Sequence, residues 1–499
     1  MNNFIIKEII NDINKGFPVY KLKFRFAPEP NGVLHIGHLK AIYINFYLAK
    51  YFKTKIYLRF DDTNPKNENI YFVNNIINNI KWLGFKYNKI TYTSNYFDIL
   101  YKMAVNMIIN NKAYIESINK KKIYDIDKIL FIFNNMKIGR YNNNDFVLRA
   151  KTINNLPNYH IKDPIMYRII KKKHYRTNYK WCIYPTYDWA HGQSDYIEKI
   201  SHSLCSIEFQ NHKPLYNWFI NNIYNKKYNI YKPKQIEFSR LNISNTITSK
   251  RYLNILKKKK IIKNYKDPRL MTLNSLIYKG YNPKNLIDFI KKNGFTKRNT
   301  NITIDEFNNY IKNKIINKTK IIMGVRKPIM IILKNFYKKK YIYINNSYKI
   351  LISKKIYIEE EDFCIKHNSN FFRLSFKNYV RLKYYYPIKA YKIKINKYGK
   401  KIIYCNIYKY INTNKIKSTI QWVSSINKKN MYINDYKYIY INNNKLFNCN
   451  SLNKKKIIID KYLYNNLKLN NNYQFLRIGF FNYCKINNFI KIFYFKKKY

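Results

Sequence analysis

The first 85 residues of the chain alternate between strand-like and helix-like patterns, with turns rich in Pro, Gly and Asp between them. Residues 21–26 alternate polar and apolar side chains, which predicts a strand, and the Pro- and Gly-rich stretch 27–32 predicts a turn. Apolar side chains then recur at helical spacing over 37–52, which predicts a helix. A second strand is expected over 55–60 and a second helix over 66–83.

This order of strand, turn, helix, strand, turn and helix is typical of a parallel βαβ unit with a right-handed crossover. Ligands of such sheets bind outside the carboxyl ends of the strands, where the connecting turns lie. We therefore expect a nucleotide-binding type of fold, with a site formed by segments 25–38 and 61–64.

The composition limits the function less than the net charge suggests. The 499 residues carry a formal net charge of +68, and 46% of them are hydrophobic. This hydrophobic fraction excludes a wholly disordered polycation, and the charge favours a polyanionic partner. Lys, Asn, Ile, Tyr and Phe are abundant, however, and all five have codons made of A and T alone. Much of the charge is therefore what an A/T-biased genome produces, and a lysine run such as 257–260 is interpreted as a solvated face.

From about residue 328 the helical periodicity disappears. β-Branched and aromatic residues alternate there, and turn residues recur every 8–12 positions, which predicts an all-β region of the barrel or sandwich type. Residues 331–499 include 36 basic and 6 acidic side chains, so the positive charge is densest in this region.

The six cysteines form no Cys-x-x-Cys pair and no Cys/His cluster with zinc spacing, so we expect neither a protein-bound metal nor a disulfide framework. So few cysteines in so long a chain favour a reducing, cytoplasmic location. The first residues lack the continuous apolar core of a signal peptide, and no run of about 18 apolar residues predicts a membrane-spanning helix.

The tetrapeptide His35-Ile36-Gly37-His38 falls where the first turn becomes the first helix. A helix N-terminus offers free N–H groups and partial positive charge to a phosphate, and Gly37 lets a nucleotide approach the backbone. His35 and His38 flank that position and can donate hydrogen bonds to a phosphate that gains charge, so both are candidate catalytic residues. Taken alone, a histidine at a helix start is more often a capping or core residue.

A polar loop at 247–251, with the sequence Ile-Thr-Ser-Lys-Arg, precedes another predicted helix. Such a fragment alone is usually a solvated loop. A lysine on a mobile loop can also hold a leaving pyrophosphate, which makes Lys250 the third candidate catalytic residue.

Segment 25–38, Arg-Phe-Ala-Pro-Glu-Pro-Asn-Gly-Val-Leu-His-Ile-Gly-His, resembles the first signature of the class I aminoacyl-tRNA synthetases of the glutaminyl/glutamyl branch. Loop 247–251 is similar to their second signature. Thr248 stands where the family usually has Met, whereas Ser249 and Lys250 match.

Three further segments, 58–65, 181–188 and 202–210, are similar to the amino-acid pocket of the same branch. The resemblance implies that Asp61 and Tyr187 hold the amino acid, and an ionised Asp61 suits an α-ammonium group. It also implies ATP with Mg²⁺ travelling on its phosphates, and a tRNA as acceptor. The positions that match the ATP contacts of the family are Glu29, Pro30, Asn31, His35, Ile36, Gly37, His38, Leu39, Lys40, Ala41, Ser206, Arg240, Leu241, Thr248, Ser249 and Lys250.

The choice between glutamine and glutamate depends on Cys205. The related glutamate-activating enzymes have Arg at this position, and a neutral Cys offers no counter-charge to a second, buried carboxylate. An amide needs only ordinary hydrogen-bonding partners. We therefore expect L-glutamine as the amino acid and a glutamine tRNA as the acceptor.

The resemblance implies a multidomain α/β plus all-β chain, built around a Rossmann-like parallel-sheet catalytic core. It is strongest from about residue 4 to 330 and thinner in the β region. The predicted divisions are the first half of the catalytic domain (1–95), an inserted domain for the tRNA acceptor end (96–206), the second half with the lysine loop (207–260), a helical connector (261–327) and two anticodon-binding β-barrels (328–499).

Two alternatives remain at this stage. One is a glutamyl-tRNA synthetase of the same branch, and the other is a degenerate, non-catalytic tRNA-binding protein. Both signatures are intact, which favours an active enzyme that forms an aminoacyl-adenylate and transfers the amino acid to the 2′-OH of the terminal adenosine. We expect a monomer without membrane attachment.

Overall fold

The computed structural model describes residues 3–152, 158–225, 231–244, 246–247, 249–298, 300–344, 348–365, 370–437, 439–441, 446–448 and 451–493. The chain divides into two compact units. The first comprises Met1–Tyr265, Met271–Asn274 and Pro283–Ile304, and the second comprises Lys266–Leu270, Ser275–Asn282 and Asp305–Tyr499. None of the described helices is both long and apolar enough to cross a bilayer.

Helices and strands are mixed over the first 304 residues, and over 21–83 they alternate as the sequence predicts. The elements are α1 (Phe4–Asn14), β1 (Lys23–Phe26), α2 (Ile36–Tyr51), β2 (Lys55–Phe60), α3 (Ile70–Trp82), β3 (Lys89–Tyr92), α4 (Phe97–Ile109), β4 (Ala113–Ser117), β5 (Lys122–Ile123), α5 (Ile126–Lys137), β6 (Phe146–Ala150), β7 (Ile165–Ile169), β8 (Ile183–Pro185), α6 (Tyr187–Ile197), β9 (His202–Ser206), α7 (Lys213–Ile223), β10 (Lys234–Phe238), β11 (Leu241–Ile243), α8 (Lys250–Lys258), α9 (Leu273–Tyr278), α10 (Pro283–Asn293) and β12 (Thr300–Ile302).

The parallel βαβ unit expected from the sequence is confirmed. Strand β2 pairs in parallel with β1 on one side and with β3 on the other. Strand β9 pairs in parallel with β10, and the loop residue Ser201 exchanges hydrogen bonds with Lys23, which brings β9 beside β1. The carboxyl ends of these parallel strands therefore lie at one edge of the unit.

Helix α3 begins at Ile70, four residues later than predicted. The side chain of Asn69 accepts a hydrogen bond from the Tyr71 N–H, so Asn69 caps the helix, and the residues before it form a turn. The Asp-rich stretch 61–65 is therefore a loop at the edge of the sheet rather than part of the first turn of α3.

A separate five-stranded sheet lies within the stretch predicted as an insertion. Its strand order is β5-β4-β6-β7-β8 and all of its pairings are antiparallel. Strand β9 falls at the end of the same predicted stretch but pairs with β10 of the parallel core. The domain boundaries at 95, 206, 260 and 327 stay predictions.

The second unit is mainly β, as expected, although its first strand begins at residue 320 rather than near 328. After α11 (Ile304–Ile315) come β13 (Lys320–Ile322), β14 (Gly324–Val325), β15 (Pro328–Leu333), β16 (Lys340–Ile344), β17 (Tyr348–Ile352), β18 (Lys355–Glu359), β19 (Tyr379–Leu382), β20 (Pro387–Ile395), β21 (Lys401–Ile407), β22 (Ile416–Ile420), β23 (Val423–Ser424), β24 (Lys428–Tyr436), β25 (Tyr440–Ile441), β26 (Leu446–Phe447), β27 (Leu452–Asp460), α12 (Lys461–Asn465), β28 (Asn472–Phe475), β29 (Gly479–Lys485) and β30 (Asn488–Lys491).

Most of these strands form two seven-stranded, barrel-like sheets. Their orders are β22-β19-β20-β21-β15-β18-β23 and β13-β28-β29-β30-β24-β27-β14, and one cluster of buried Ile, Leu, Val and aromatic side chains draws residues from both. A buried ion-pair group also links them. Asp362, which follows β18, accepts hydrogen bonds from Arg373 at 2.8 Å and from both terminal nitrogens of Arg477, at 2.8 and 2.6 Å, in the turn between β28 and β29.

The Asp362 group gives a testable stability prediction. Asp362 is fully buried, so Asp362→Ala leaves two guanidinium groups without their shared counter-charge. We expect a loss of about 2 kcal/mol in the free energy of unfolding, since both arginines retain partial access to water. Asp435 also pairs with two cations, Lys455 and Lys491, but is part-exposed, so Asp435→Ala should cost less than about 1 kcal/mol. Urea denaturation curves of the parent and both variants measure the difference, and equal losses would contradict the structural role of Asp362.

Candidate active site

A cavity of about 570 Å³ opens at the carboxyl ends of β1, β9 and β10. Its walls combine residues of both signature segments with residues of the amino-acid pocket segments. Of the site residues expected from the sequence, the cavity is lined by Glu29, His35, Gly37, His38, Lys40, Ala41, Tyr187, Cys205, Ser206, Arg240, Leu241, Ser249 and Lys250.

The other expected residues lie around the cavity rather than on its wall. Pro30, Ile36 and Leu39 are buried. Asn31 contacts Lys250, and Asp61 is buried beneath the floor, in contact with His191. Thr248 lies outside the residues that the structure describes.

The two histidines of the first signature cap helix α2. Nδ1 of His35 accepts a hydrogen bond from the Gly37 N–H at 3.1 Å, and Nδ1 of His38 accepts one from the His35 N–H at 3.2 Å. This is a capping box in which both acceptors are imidazoles. Since each Nδ1 is an acceptor, the hydrogen bonds assign the ring proton of each neutral imidazole to Nε2, which remains available as a donor.

Both imidazoles are held neutral. Burial lowers the pKa of His35 to about 3, and the nearby charges of Lys250 and Arg240 act in the same direction. Burial, together with His35, Lys250 and Arg240, also lowers the pKa of His38 well below its usual value. The ring centroids are 3.9 Å apart, so protonation of both rings would place two positive charges in contact. At neutral pH the pair thus presents two N–H donors and no net charge.

Lys250, at the start of α8, contacts the Pro-rich turn of the first signature. Its Nζ donates a hydrogen bond to the side-chain oxygen of Asn31 and lies 3.6 Å from a carboxylate oxygen of Glu29. A Cβ on Gly32 would lie 3.2 Å from the aliphatic stem of Lys250. Because Gly32 has no side chain, the lysine loop can approach the turn. Two segments that lie 219 residues apart in the sequence therefore form one site.

A second lysine, Lys40, is buried in the wall of the cavity. Its Nζ donates to the hydroxyl of Ser239 at 2.7 Å, and burial lowers its pKa to about 8. Arg240, next in the chain, contacts Glu208 at 2.5 Å, and Glu208 accepts a hydrogen bond from Ser206 at 2.8 Å. The three expected contacts Lys40, Ser206 and Arg240 therefore line the same cavity as the histidine pair.

Two buried arginines that were not among the site residues expected from the sequence organise the floor. Arg25 donates to both carboxylate oxygens of Asp195, at 3.0 and 3.3 Å. Arg59 donates to Asp195 at 2.8 Å, to Asp61 at 2.8 Å and to Glu198 at 3.2 Å. The network thus ties the ends of β1 and β2 to helix α6.

His191 completes this network. Arg25 donates to Nε2 of His191 at 2.7 Å, so the ring proton lies on Nδ1, 3.2 Å from Asp61. Burial would raise the pKa of Asp61, but Arg59 and His191 outweigh it and lower that pKa to about 2. Asp61 is therefore an ionised carboxylate.

The floor has one more carboxylate than arginine. Three carboxylates, those of Asp61, Asp195 and Glu198, face the two guanidinium groups, and His191 contacts both Asp61 and Asp195. Tyr187 stacks on His191 with ring centroids 4.8 Å apart, and both side chains line the cavity together with Arg25. A cationic group bound near Tyr187 would compensate the additional carboxylate.

Cys205 lies on the cavity wall at the end of β9, and its thiol is nearly buried. Its Sγ lies 3.9 Å from the carbonyl oxygen of Ile236. Burial and the nearby Glu237 raise the pKa of the thiol to about 12, so the side chain is neutral. The nearest arginine, Arg25, is already committed to Asp195, Ser203 and His191.

Sequence patterns carried little signal for Arg25, Arg59, Asp195 and His191, because partners 132 to 170 residues apart meet only in the folded chain. For Arg59 the sequence offered one chemical signal. This arginine alternates with apolar residues in a predicted strand, and a charged side chain that is buried at a strand position requires a partner.

The histidine pair gives a prediction for pH dependence. A histidine whose folded pKa lies below its unfolded value of about 6.5 stabilises the fold fully above pH 6.5, and this contribution is lost as the pH falls below that value. The parent should therefore lose about 1 kcal/mol of stability per histidine, between pH 7.5 and 5.5, relative to a His35→Asn, His38→Asn variant. Asparagine keeps a capping oxygen but does not titrate. Urea unfolding at the two pH values measures the difference, and parallel losses in parent and variant would contradict the assignment of neutral imidazoles.

Comparison with known proteins agrees with this geometry. The family model described as the catalytic domain of class I tRNA synthetases (E and Q) matches residues 21–317. Two models described as anticodon-binding domains of the same class match residues 322–408 and 419–483.

Individual relatives agree over most of the chain. A glutamine–tRNA ligase of Buchnera aphidicola subsp. Schizaphis graminum is 39% identical over 96% of this chain and 93% of its own length. A glutamine–tRNA ligase of Clostridioides difficile is 38% identical over 74% and 71% of the two chains. Among solved structures, a glutamate tRNA ligase of Elizabethkingia meningosepticum aligns with a TM-score of 0.43 at 14% identity, over 60% of this chain and 70% of that one. The chain belongs to the class I aminoacyl-tRNA synthetases, in the branch that contains the glutamate and glutamine enzymes.

Proposed function

We propose that the chain is a glutamine–tRNA ligase, which activates L-glutamine with ATP and transfers it to a glutamine tRNA. The observation that carries the proposal is the neutral side chain of Cys205. It lines the same cavity as residues of both ATP-binding signature segments. Relatives that carry the name glutamine–tRNA ligase, at 34–39% identity, support it.

In the first step, a carboxylate oxygen of glutamine attacks the α-phosphorus of ATP. An oxygen–phosphorus bond forms, the bond to the β-phosphate oxygen breaks, and pyrophosphate leaves. The Nε2–H groups of His35 and His38 donate hydrogen bonds to the α-phosphate oxygens as negative charge grows there.

Lys250 acts on the leaving group. Its ammonium group contacts Asn31 and Glu29, and we propose that it exchanges Glu29 for the pyrophosphate oxygens when ATP binds. The remaining ATP contacts assigned from the family are the positions from Glu29 to Ala41 named above, together with Ser206, Arg240, Leu241, Thr248 and Ser249.

The amino acid is held between Tyr187 and Asp61. The additional carboxylate of the buried network attracts the α-ammonium group of glutamine, and ionised Asp61 supplies the nearest carboxylate below Tyr187. In the second step, the 2′-oxygen of the terminal adenosine attacks the carbonyl carbon of the adenylate. The ester bond forms, AMP leaves, and the hydroxyl proton passes to the departing phosphate.

Mg²⁺ has no evident protein site. No group of three or more His, Cys, Asp or Glu side chains among the described residues is arranged to hold a metal. At the phosphate position the chain presents imidazoles and lysine, whereas Mg²⁺ prefers oxygen ligands. We propose that Mg²⁺ enters as part of the ATP substrate, and no step above depends on it.

We also propose that the enzyme works as a monomer in the cytoplasm. The free cysteines among the described residues are consistent with a reducing compartment. Size-exclusion chromatography at micromolar concentration tests the oligomeric state, and a stable dimer would contradict the proposal.

The catalytic assignments are tested by ATP–pyrophosphate exchange in the presence of the matching tRNA. His38→Asn keeps the capping acceptor but removes the Nε2 donor, so we expect kcat to fall about 10²- to 10³-fold with little change in stability. Lys250→Ala should lower kcat by a similar factor. Lys258→Ala, at the exposed end of the same helix α8, is the matched control and should retain full exchange. Undiminished exchange in His38→Asn or Lys250→Ala would overturn the assignment.

The amino-acid preference is tested at Cys205. We expect the parent to charge glutamine in strong preference to glutamate. Cys205→Arg adds a cation to the pocket wall, so the ratio of kcat/KM for glutamate to that for glutamine should rise at least tenfold. Cys205→Ser keeps a small neutral side chain and should leave the ratio within about threefold of the parent. A parent enzyme that prefers glutamate would identify the glutamate enzyme of the branch instead, and failure to charge either amino acid would favour a non-catalytic protein.

A further inference from the structure

A second, larger cavity of about 1140 Å³ lies in the first unit at the amino ends of β1, β2 and β9, away from the catalytic cavity. We call it the amino-edge groove. It is lined by Phe17, Pro18, Val19, Tyr20, Lys21, Leu22, Lys23, Phe52, Lys53, Thr54, Lys55, Asn88, Lys199, Ile200, Ser201 and Tyr231. Five of these side chains are lysines, and none is a carboxylate.

Four of the lysines are exposed and lack a counter-charge. Among the residues that the structure describes, no carboxylate pairs with Lys21, Lys53, Lys55 or Lys199. The fifth, Lys23, donates to the backbone carbonyl of Glu198 at 2.9 Å and lies over the ring of Tyr57. The groove therefore carries about five positive charges in one concave surface.

The strand register brings two of these charges together. Lys23 and Lys55 are direct partners in the parallel pairing of β1 with β2. Like charges on adjacent strands destabilise a sheet unless another group neutralises them. A polyanion bound in the groove would supply that neutralisation.

Helix ends explain part of this arrangement. Lys53 follows α2 and Lys199 follows α6, both with positive φ at the end of their helices, where a cation interacts favourably with the helix dipole. Each helix end offers only about half a unit of negative charge. The lysines of the strand starts have no such compensation.

Aromatic rings border the same lysines. The side chain of Tyr20 is 83% exposed, and Nζ of Lys21 lies 5.6 Å from its ring centroid. On the other side, the rings of Phe17 and Tyr231 pack with centroids 4.7 Å apart. A concave row of cations with an exposed ring is the combination that binds single-stranded nucleic acid, because phosphates contact the cations while bases stack on the ring.

We propose that the amino-edge groove binds a single-stranded RNA other than the tRNA that is the substrate at the catalytic cavity. The two cavities lie at opposite ends of the same strands. The five residues of β9, which run from the groove to the catalytic cavity, span about 17 Å, so an RNA end seated at the histidine pair does not also lie in the groove. The proposal rests on this surface alone and not on the proposed function.

The test compares two triple variants with the same change in charge. One carries Lys21→Glu, Lys53→Glu and Lys55→Glu in the groove, and the control carries Lys258→Glu, Lys259→Glu and Lys260→Glu on an exposed run beyond it. Binding of a fluorescein-labelled 12-nucleotide oligouridine to the full chain is measured by anisotropy at several salt concentrations. We expect the groove variant to bind at least tenfold more weakly than the control, with a log–log salt slope reduced by about 2. Equal weakening in both variants would overturn the proposal.

A second pair of variants tests the stacking. Tyr20→Ala should weaken oligouridine binding about five- to 100-fold, whereas Tyr20→Phe retains an aromatic face and should bind within about twofold of the parent. A parent that binds a 12-base-pair RNA duplex as tightly as the oligouridine, or an unchanged affinity in Tyr20→Ala, would contradict a single-stranded ligand.

Steady-state charging separates this groove from the substrate site. We expect the groove variant to charge tRNA with a KM and a kcat within about twofold of the parent. A KM for tRNA that rises fivefold or more in the groove variant, but not in the control, would show that the groove holds part of the substrate tRNA and would overturn the claim of a separate RNA. A parent without charging activity would refute the proposed function and leave the oligouridine measurements unaffected.

Discussion

The buried ion network of Arg25, Arg59 and Asp195 holds the catalytic unit together. Asp195 accepts hydrogen bonds from both arginines, which come from adjacent parallel strands, while Asp195 itself lies on helix α6 after the inserted sheet. Breaking a buried pair of this kind is costly because it leaves an unpaired charge without water. The network therefore fixes α6 against β1 and β2, and with it the positions of Tyr187 and His191.

The same network is where we propose that the amino acid binds. Asp61 and Glu198 add two carboxylates to the single one that both arginines share, so the carboxylates outnumber the arginines by one. Binding of a cationic group compensates a buried excess of carboxylates. The α-ammonium group of an amino acid meets that requirement.

The histidine pair has a structural role and, in the mechanism that we propose, also a catalytic one. A histidine at a helix start is usually a cap, and this is what the Nδ1 atoms do. Capping does not compete with catalysis here, because each imidazole has a second nitrogen. The caps fix the ring orientation and the tautomer, and so the Nε2–H groups point outward before ATP arrives. Preorganised donors of this kind stabilise a transition state without a reorganisation cost.

The sequence by itself determined the parallel βαβ start and the all-β second part. It also predicted a site in segments 25–38 and 61–64; segment 25–38 lines the cavity, whereas Asp61 lies beneath it, and the three catalytic residues stay predictions. These features follow from local periodicity and from scarce Gly, Pro, His and Asp residues in an A/T-biased chain. Such signals come from residues that are close together in the sequence. Only the tertiary structure decided the pairing of β9 with the core, the Arg25–Asp195 network and the contact of Lys250 with the turn at Gly32. It also divided the abundant lysines, because charge counts do not tell a solvated run such as 257–260 from lysines that meet at strand ends. The Arg25–Asp195 and Lys250 contacts join residues more than 100 positions apart, and burial and pairing across such distances are properties of the folded chain rather than of any local pattern.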